Sequence, residues 1–166
     1  MHIREENINQ KLDKEIASLV KHFKIDKKYL SENGTTSYSD FLSNKMLIIS
    51  MIRNGVPFSL FNLIQFYTPF SENDWAEILD ISTKSLQRYR QTSREFRPLQ
   101  SERIIEMAEV TKIGLDVFDN IEKFKLWLNT PNYSLGNLTP MELLKDSYGK
   151  EMVVTELTRI NHGIFL

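Results

Sequence analysis

Ser71-Glu72-Asn73-Asp74-Trp75-Ala76-Glu77-Ile78-Leu79-Asp80-Ile81-Ser82-Thr83-Lys84-Ser85-Leu86-Gln87-Arg88-Tyr89-Arg90 carries the strongest architectural signal in this chain of 166 residues. Ser71 is a good helix N-cap, and Glu72 and Asp74 put negative charge in the first turn, where the positive end of the helix dipole favours it. Trp75, Ile78 and Leu79 then share one helical face. Asp80-Ile81-Ser82 breaks the period, and Ser82 can cap a second short helix running from Thr83 to about Arg90. Two short helices joined by a tight turn form a helix-turn-helix arrangement. Asp80 stands where glycine is common in such a turn; aspartate reaches the left-handed conformation there at some cost.

The second helix begins with small polar and basic residues. Thr83, Lys84, Gln87 and Arg88 fall on one face, with Ser85 and Arg90 beside them, while Leu86 points back toward a core. Such side chains at the start of a short helix can enter the major groove and reach phosphates and base edges together. The same spacing also describes an ordinary amphipathic helix with a basic surface, so both readings stand on the pattern alone.

Outward from this centre the chain reads as helices. Phe41, Leu42, Met46, Ile49 and Ile52 make one helical stripe, ended by the Asn54-Gly55-Val56-Pro57 turn, whose neighbour Arg53 is placed to brace it. Leu60, Leu63, Ile64 and Tyr67 continue the period to Pro69. Before them, residues 1–40 are polar, with Ile8, Leu12, Ile16, Leu19, Val20 and Phe23 at helical spacing and a linker from Ser31 to Ser37; this arm reads as a helix that docks or swings. The polar, basic segment from Arg90 to Pro98 suits an exposed connection. After Ser101, Ile104, Met107, Ala108 and Thr111 form a stripe, and Ile121, Phe124, Trp127 and Leu128 form another. Trp75 and Trp127 read as core residues.

A loop follows from Thr130 to Asn137. Thr139-Pro140-Met141-Glu142 then combines a capping box with proline at the first helical position, Gly149 interrupts, and Val153, Leu157 and Ile160 mark a last helix. Each glycine reads as punctuation at a helix end or turn. No segment alternates with period two, so the expected fold class is all-α.

Composition narrows the function classes. With 21 Lys+Arg against 22 Asp+Glu the net charge is −1, which gives no global field for nucleic acid or anionic lipid. Divided along the chain, the near-neutrality resolves into blocks: residues 1–40 sum to zero, 41–70 to +2, 71–82 to −4, 83–103 to +4 and 104–166 to −3. A basic middle and a mildly acidic C-terminal part suggest two different partners. The chain has no cysteine, so thiolate chemistry and Cys-rich zinc sites are excluded. His2, His22 and His162 are scattered without metal-ligand spacing, and no nucleophile elbow or phosphate-binding glycine loop occurs. No catalytic residue, metal site or cofactor is expected, and the chain reads as a non-enzyme. With no apolar h-region and no membrane-length apolar run, the expectation is a soluble, cytoplasmic protein without a membrane partner.

The C-terminal end is unusual. Arg159-Ile160-Asn161-His162-Gly163-Ile164-Phe165-Leu166 places three large apolar residues after a helix-stopping glycine. They either fold back onto the protein's own core or are displayed for another protein to bury.

Several motifs resemble one family in order along residues 45–166: Arg53-Asn54-Gly55-Val56-Pro57, Trp75 to Arg88, Leu126-Trp127-Leu128-Asn129-Thr130-Pro131-Asn132, Leu135-Gly136, Thr139 to Leu144, and Arg159-Ile160 to Phe165. Together they resemble the Xre/ParS-type antitoxins of bacterial type II toxin–antitoxin systems. The resemblance implies a polar arm at 1–40 outside the family pattern, an Xre-like helix-turn-helix domain at 41–112 and a small helical toxin-binding domain at 113–166. It further implies a RES-domain toxin that consumes NAD as partner, homodimers, and binding to operator DNA through Thr83, Lys84, Ser85, Gln87, Arg88 and Arg90. By the same carry-over, Arg159, Ile160, His162, Gly163, Ile164, Phe165 and Leu166 form the surface that covers the toxin's active site. The alternative is a stand-alone helix-turn-helix transcription regulator without a toxin partner.

Overall fold

The computed structural model describes residues 2–32 and 36–163, and among them it contains ten α-helices, two short 3-10 turns and no strand. The helices are α1 (His2–His22), α2 (Tyr38–Ser43), α3 (Lys45–Asn54), α4 (Phe58–Tyr67), α5 (Glu72–Ile78), α6 (Thr83–Thr92), α7 (Pro98–Phe118), α8 (Ile121–Leu128), α9 (Pro140–Leu143) and α10 (Ser147–Asn161). The all-α expectation holds. The chain divides into two compact units, Met1–Tyr67 with Thr83–Glu106, and Thr68–Ser82 with Met107–Leu166. Helix α7 therefore supplies Pro98–Glu106 to the first and Met107–Phe118 to the second.

In the first unit, α1 packs on α4 and α2, burying Ile8, Leu12, Ile16, Leu19 and Val20. Its apolar stripe is thus the docking face of a helix built into this unit. Polar contacts fix the same placement: the Tyr38 amide donates to Asp13 Oδ1 at 2.7 Å, and the Ser59 hydroxyl donates to Glu15 Oε1. A 3-10 turn, Lys27–Tyr29, follows α1 and is capped by Asp26.

The stripe expected from Phe41 to Ile52 is two helices. Asn44 lies between α2 and α3; its side chain accepts from Met46 N and Leu47 N while its amide group donates to Tyr29 O at 2.7 Å. Because the break shifts the helical register, the buried residues of α3 are Leu47, Ile48 and Met51, whereas Met46 and Ile49 are exposed. A short polar side chain that can bond backbone on both sides ends one helix and starts the next, which apolar spacing alone does not reveal.

Gly55 closes α3 at φ 89°, and a Cβ there would lie 2.7 Å from Phe96 O. That close approach matters, because the Phe96 amide donates to Val56 O at 2.8 Å. Ser101, fully buried, bridges the two segments: its hydroxyl accepts from Val56 N at 2.8 Å and donates to Phe96 O at 3.1 Å. The turn is therefore braced by Ser101 and Phe96, while Arg53 is exposed. Ser101→Ala leaves a buried amide and a buried carbonyl without this partner, which costs about 1–3 kcal/mol. We expect thermal denaturation to show a drop of several degrees in Tm, and an unchanged Tm would refute the brace.

The connection between α6 and α7 also differs from expectation. It is exposed at Ser93, Arg94, Glu95 and Arg97, but Phe96 is 2% exposed and stacks on Tyr89 with ring centroids 4.2 Å apart. Phe61 closes on the other side at 5.0 Å. One buried phenylalanine in a basic segment has no periodicity to announce it.

The second unit buries Trp75, with Phe70 edge-on at 5.5 Å, together with Phe124, Leu128, Leu144, Val153 and Leu157. Trp75 is core as expected; Trp127 is half-buried and tilted against Phe118. The glycine expectations need correction at two positions. Gly114 lies inside α7, under the Phe124 ring. Gly149 lies in the first turn of α10, where Asp146 accepts from its amide at 2.7 Å. A Cβ at Gly149 would stand 2.0 Å from Leu143 O, so only glycine lets α10 start this close to the end of α9.

Candidate functional site

Two surfaces collect the residues singled out by the sequence, one in each unit. In the first, α6 exposes Thr83, Lys84, Gln87, Arg88 and Arg90, half-buries Ser85, and buries Leu86. The buried side is Leu86 and the half-buried Tyr89, whose stacking on Phe96 fixes the rotation of the helix in this unit. Among the described residues no ion pair engages Lys84, Arg88 or Arg90. Their charges therefore remain available to an external anion. Gln91 is also exposed and completes the stripe Lys84, Gln87, Arg88, Gln91. The helix expected from Thr83 to about Arg90 runs two residues further, to Thr92.

Preceding it, the turn takes the conformation its residues suggested. Ser71 and Asp74 form a reciprocal capping box at the start of α5, and Asp80 adopts φ 51°. The Ile81 amide returns to Ala76 O at 3.0 Å, closing the end of α5. Glu77 of this helix forms an ion pair with Lys145 inside the second unit, and that hydrogen bond holds the Lys145 ammonium above its ordinary pKa.

In the second unit, the loop after α8 is held by its own backbone. The Asn132 amide donates to Leu138 O at 3.1 Å, Asn137 N donates to Asn132 O at 2.9 Å, and Asn132 Oδ1 accepts from Ser134 N at 2.9 Å. Gly136 and Asn137 both have positive φ, which turns the chain back toward α9. Thr139 and Glu142 form the expected capping box. Its backbone and hydroxyl hydrogen bonds pull the Glu142 carboxyl below the usual glutamate value. The cap therefore contributes above the unfolded glutamate pKa and is lost as pH falls through the folded one.

Helix α10 buries Gly149, Val153 and Leu157 and exposes the opposite side, where Tyr148, Met152 and Thr155 lead toward Arg159 and His162 at three- and four-residue steps. Arg159 is half-buried and held by Glu156 at 3.1 Å. Ile160 is half-buried, and His162 is exposed with Nδ1 2.7 Å from Thr158 O. Gly163 closes the helix at φ 67°. Ile164, Phe165 and Leu166, the apolar tip singled out by the sequence, lie outside the described residues. The exposed apolar residues that sequence reasoning missed in this unit are Leu126, 71% exposed, Tyr133, 87% exposed, Tyr148, 84% exposed, Leu138 and Met152. On α10 the signal was available, since Tyr148 and Met152 fall off the Val153–Leu157 stripe.

A helix-turn-helix segment followed by a small all-helical domain with an exposed apolar face defines a DNA-binding regulator carrying a protein-binding module. Residues 47–109 match the family model of the antitoxin Xre-like helix-turn-helix domain, and residues 114–163 match that of the antitoxin Xre/MbcA/ParS C-terminal toxin-binding domain. The chain belongs to the Xre/ParS-type antitoxin family. It is 27% identical over 124 residues to an antitoxin Xre of Yersinia enterocolitica, covering 74% of this chain and 84% of that protein. It is likewise 28% identical over 116 residues to an antitoxin Xre of Photorhabdus laumondii, covering 69% and 78%. It is accordingly an antitoxin of a toxin–antitoxin system, and its two domains imply a toxin partner and DNA binding. Among the described residues, no helix is long and apolar enough to cross a membrane, and no group of His, Cys, Asp or Glu is arranged to hold a metal.

Proposed function

We propose that this antitoxin neutralises a RES-type, NAD-consuming toxin by covering its active site with the C-terminal end of the chain, from Arg159 to Leu166. The observation that carries the proposal is the order of the two family matches, the second of which, the toxin-binding domain, runs through residue 163 and so takes in most of that end. An exposed helix end with His162 at its tip suits a concave enzyme site better than a flat one. The antitoxin acts by steric occlusion, without catalysis or cofactor, in the cytoplasm. It works as a homodimer and represses its own operon through Thr83, Lys84, Ser85, Gln87, Arg88 and Arg90, with Gln91 added to that face.

Co-expression with the neighbouring toxin gene tests this: growth is rescued and cellular NAD is preserved when the antitoxin is present. The rival reading, a transcription regulator without a toxin partner, requires operator binding with no rescue. Purified antitoxin incubated with NAD is expected to leave it intact.

A further inference from the structure

The first unit holds a cavity of about 740 Å³ that neither family match reaches. It lies beside the C-terminal end of α1 and the 3-10 turn after it, with Ala17, Val20, Ile25 and Leu30 as its apolar wall. Four lysines line it as well, Lys21, Lys24, Lys27 and Lys28, against the single carboxylate of Glu32 among the described lining residues. Lys28 is engaged by Asp26 at 3.2 Å. Lys21, Lys24 and Lys27 are exposed and make no ion pair among the described residues.

Two further features point to a ligand. Thr36, which lines the same cavity, is 6% exposed, and its hydroxyl is buried without a hydrogen-bond partner. Such a group gains free energy from any ligand oxygen that reaches it. Lys24 sits at φ 49°, where glycine or asparagine ends a helix more cheaply, so the backbone carries strain at a position that supplies a cation. Its size falls in the range of small-molecule sites, and its lining sets one apolar wall against a cluster of cations.

We infer that this cavity binds a single-chain amphiphile with an anionic carboxylate or phosphate head, the chain on the apolar wall and the head at the lysines. A nucleic-acid backbone would satisfy the lysines and leave the wall uncovered, and a free metal ion would meet four positive charges.

The test is calorimetric titration of the full-length protein with dodecanoate and dodecyl phosphate below their micellar concentrations. One saturable site per chain is expected, with no binding of dodecyltrimethylammonium. Lys24→Glu with Lys27→Glu reverses two exposed charges and touches no buried side chain, and should weaken binding about tenfold or more. Ala17→Phe fills the cavity with every lysine kept and should abolish binding, with circular dichroism checking the fold. Absence of saturable binding, equal binding of the cationic analogue, or indifference to the charge-reversed variant overturns the inference. Binding confined to anionic phospholipid vesicles, to inorganic phosphate or to duplex DNA overturns it too, since each needs the charges without the cavity.

Discussion

Removal of Gly163–Leu166 abolishes neutralisation: cells that express the toxin with the truncated antitoxin stop growing, while the full chain rescues them. On the proposed reading Ile164, Phe165 and Leu166 are buried by the toxin, and each large apolar side chain contributes roughly 1.5–3 kcal/mol when taken out of water. Even if half of that is offset by ordering the segment, affinity falls by at least about fortyfold. The deletion begins after α10 and spares its buried residues Val153 and Leu157, so circular dichroism, Tm and operator binding should match those of the full chain. Rescue by the truncated protein would end the tail mechanism. It would turn attention to the exposed Tyr148–Met152 face of α10.

Lys84→Ala combined with Arg88→Ala weakens operator binding by about ten- to a hundredfold and makes its salt dependence shallower. Both side chains are exposed, so the loss is electrostatic and the fold is kept. If each neutralises one phosphate, the slope of log K against log salt falls by about two for each α6 engaged. The two readouts separate causes: a loss of affinity with an unchanged slope means these residues read bases, and no change in either means DNA is bound elsewhere. Gln91→Ala, on the same stripe, should cost affinity without altering the slope.

Helix identity was legible wherever a side chain signals through local chemistry. Ser71 with Asp74 and Thr139 with Glu142 cap their helices as their spacing implied, and Asp80 takes the left-handed turn. Misreadings arose where a residue acts through a partner distant in sequence. Asn44 is bonded to Tyr29, which splits one expected helix in two. Phe96 is held by Val56, Tyr89 and Phe61, so a polar-looking connection carries a core residue. Gly149 reads as a helix end, yet it permits contact between two helices.

The candidate surfaces follow the same division. The basic face of α6 was visible because charge and helical period are local properties. The apolar exposure of Tyr133 was not, since an aromatic residue in a loop counts as core until the fold leaves it outside, whereas that of Tyr148 and Met152 could be read from their place off the Val153–Leu157 stripe. The cavity at the end of α1 needed tertiary structure altogether, because its wall and its lysines come together only when the chain turns at Lys24 and Thr36 is brought beside them.

By itself the sequence determined the helical class, the caps, the family and the alternating charge blocks, all of which arise from neighbours within a turn or two of helix. Tertiary structure decided what those blocks do. The acidic run from Glu72 to Asp80 is spent on capping α5, pairing with Lys145 and turning the chain, while the basic residues of α6 remain unpaired among the described residues. A charge becomes a binding group only if folding leaves it without a partner, and that depends on residues far away in the chain.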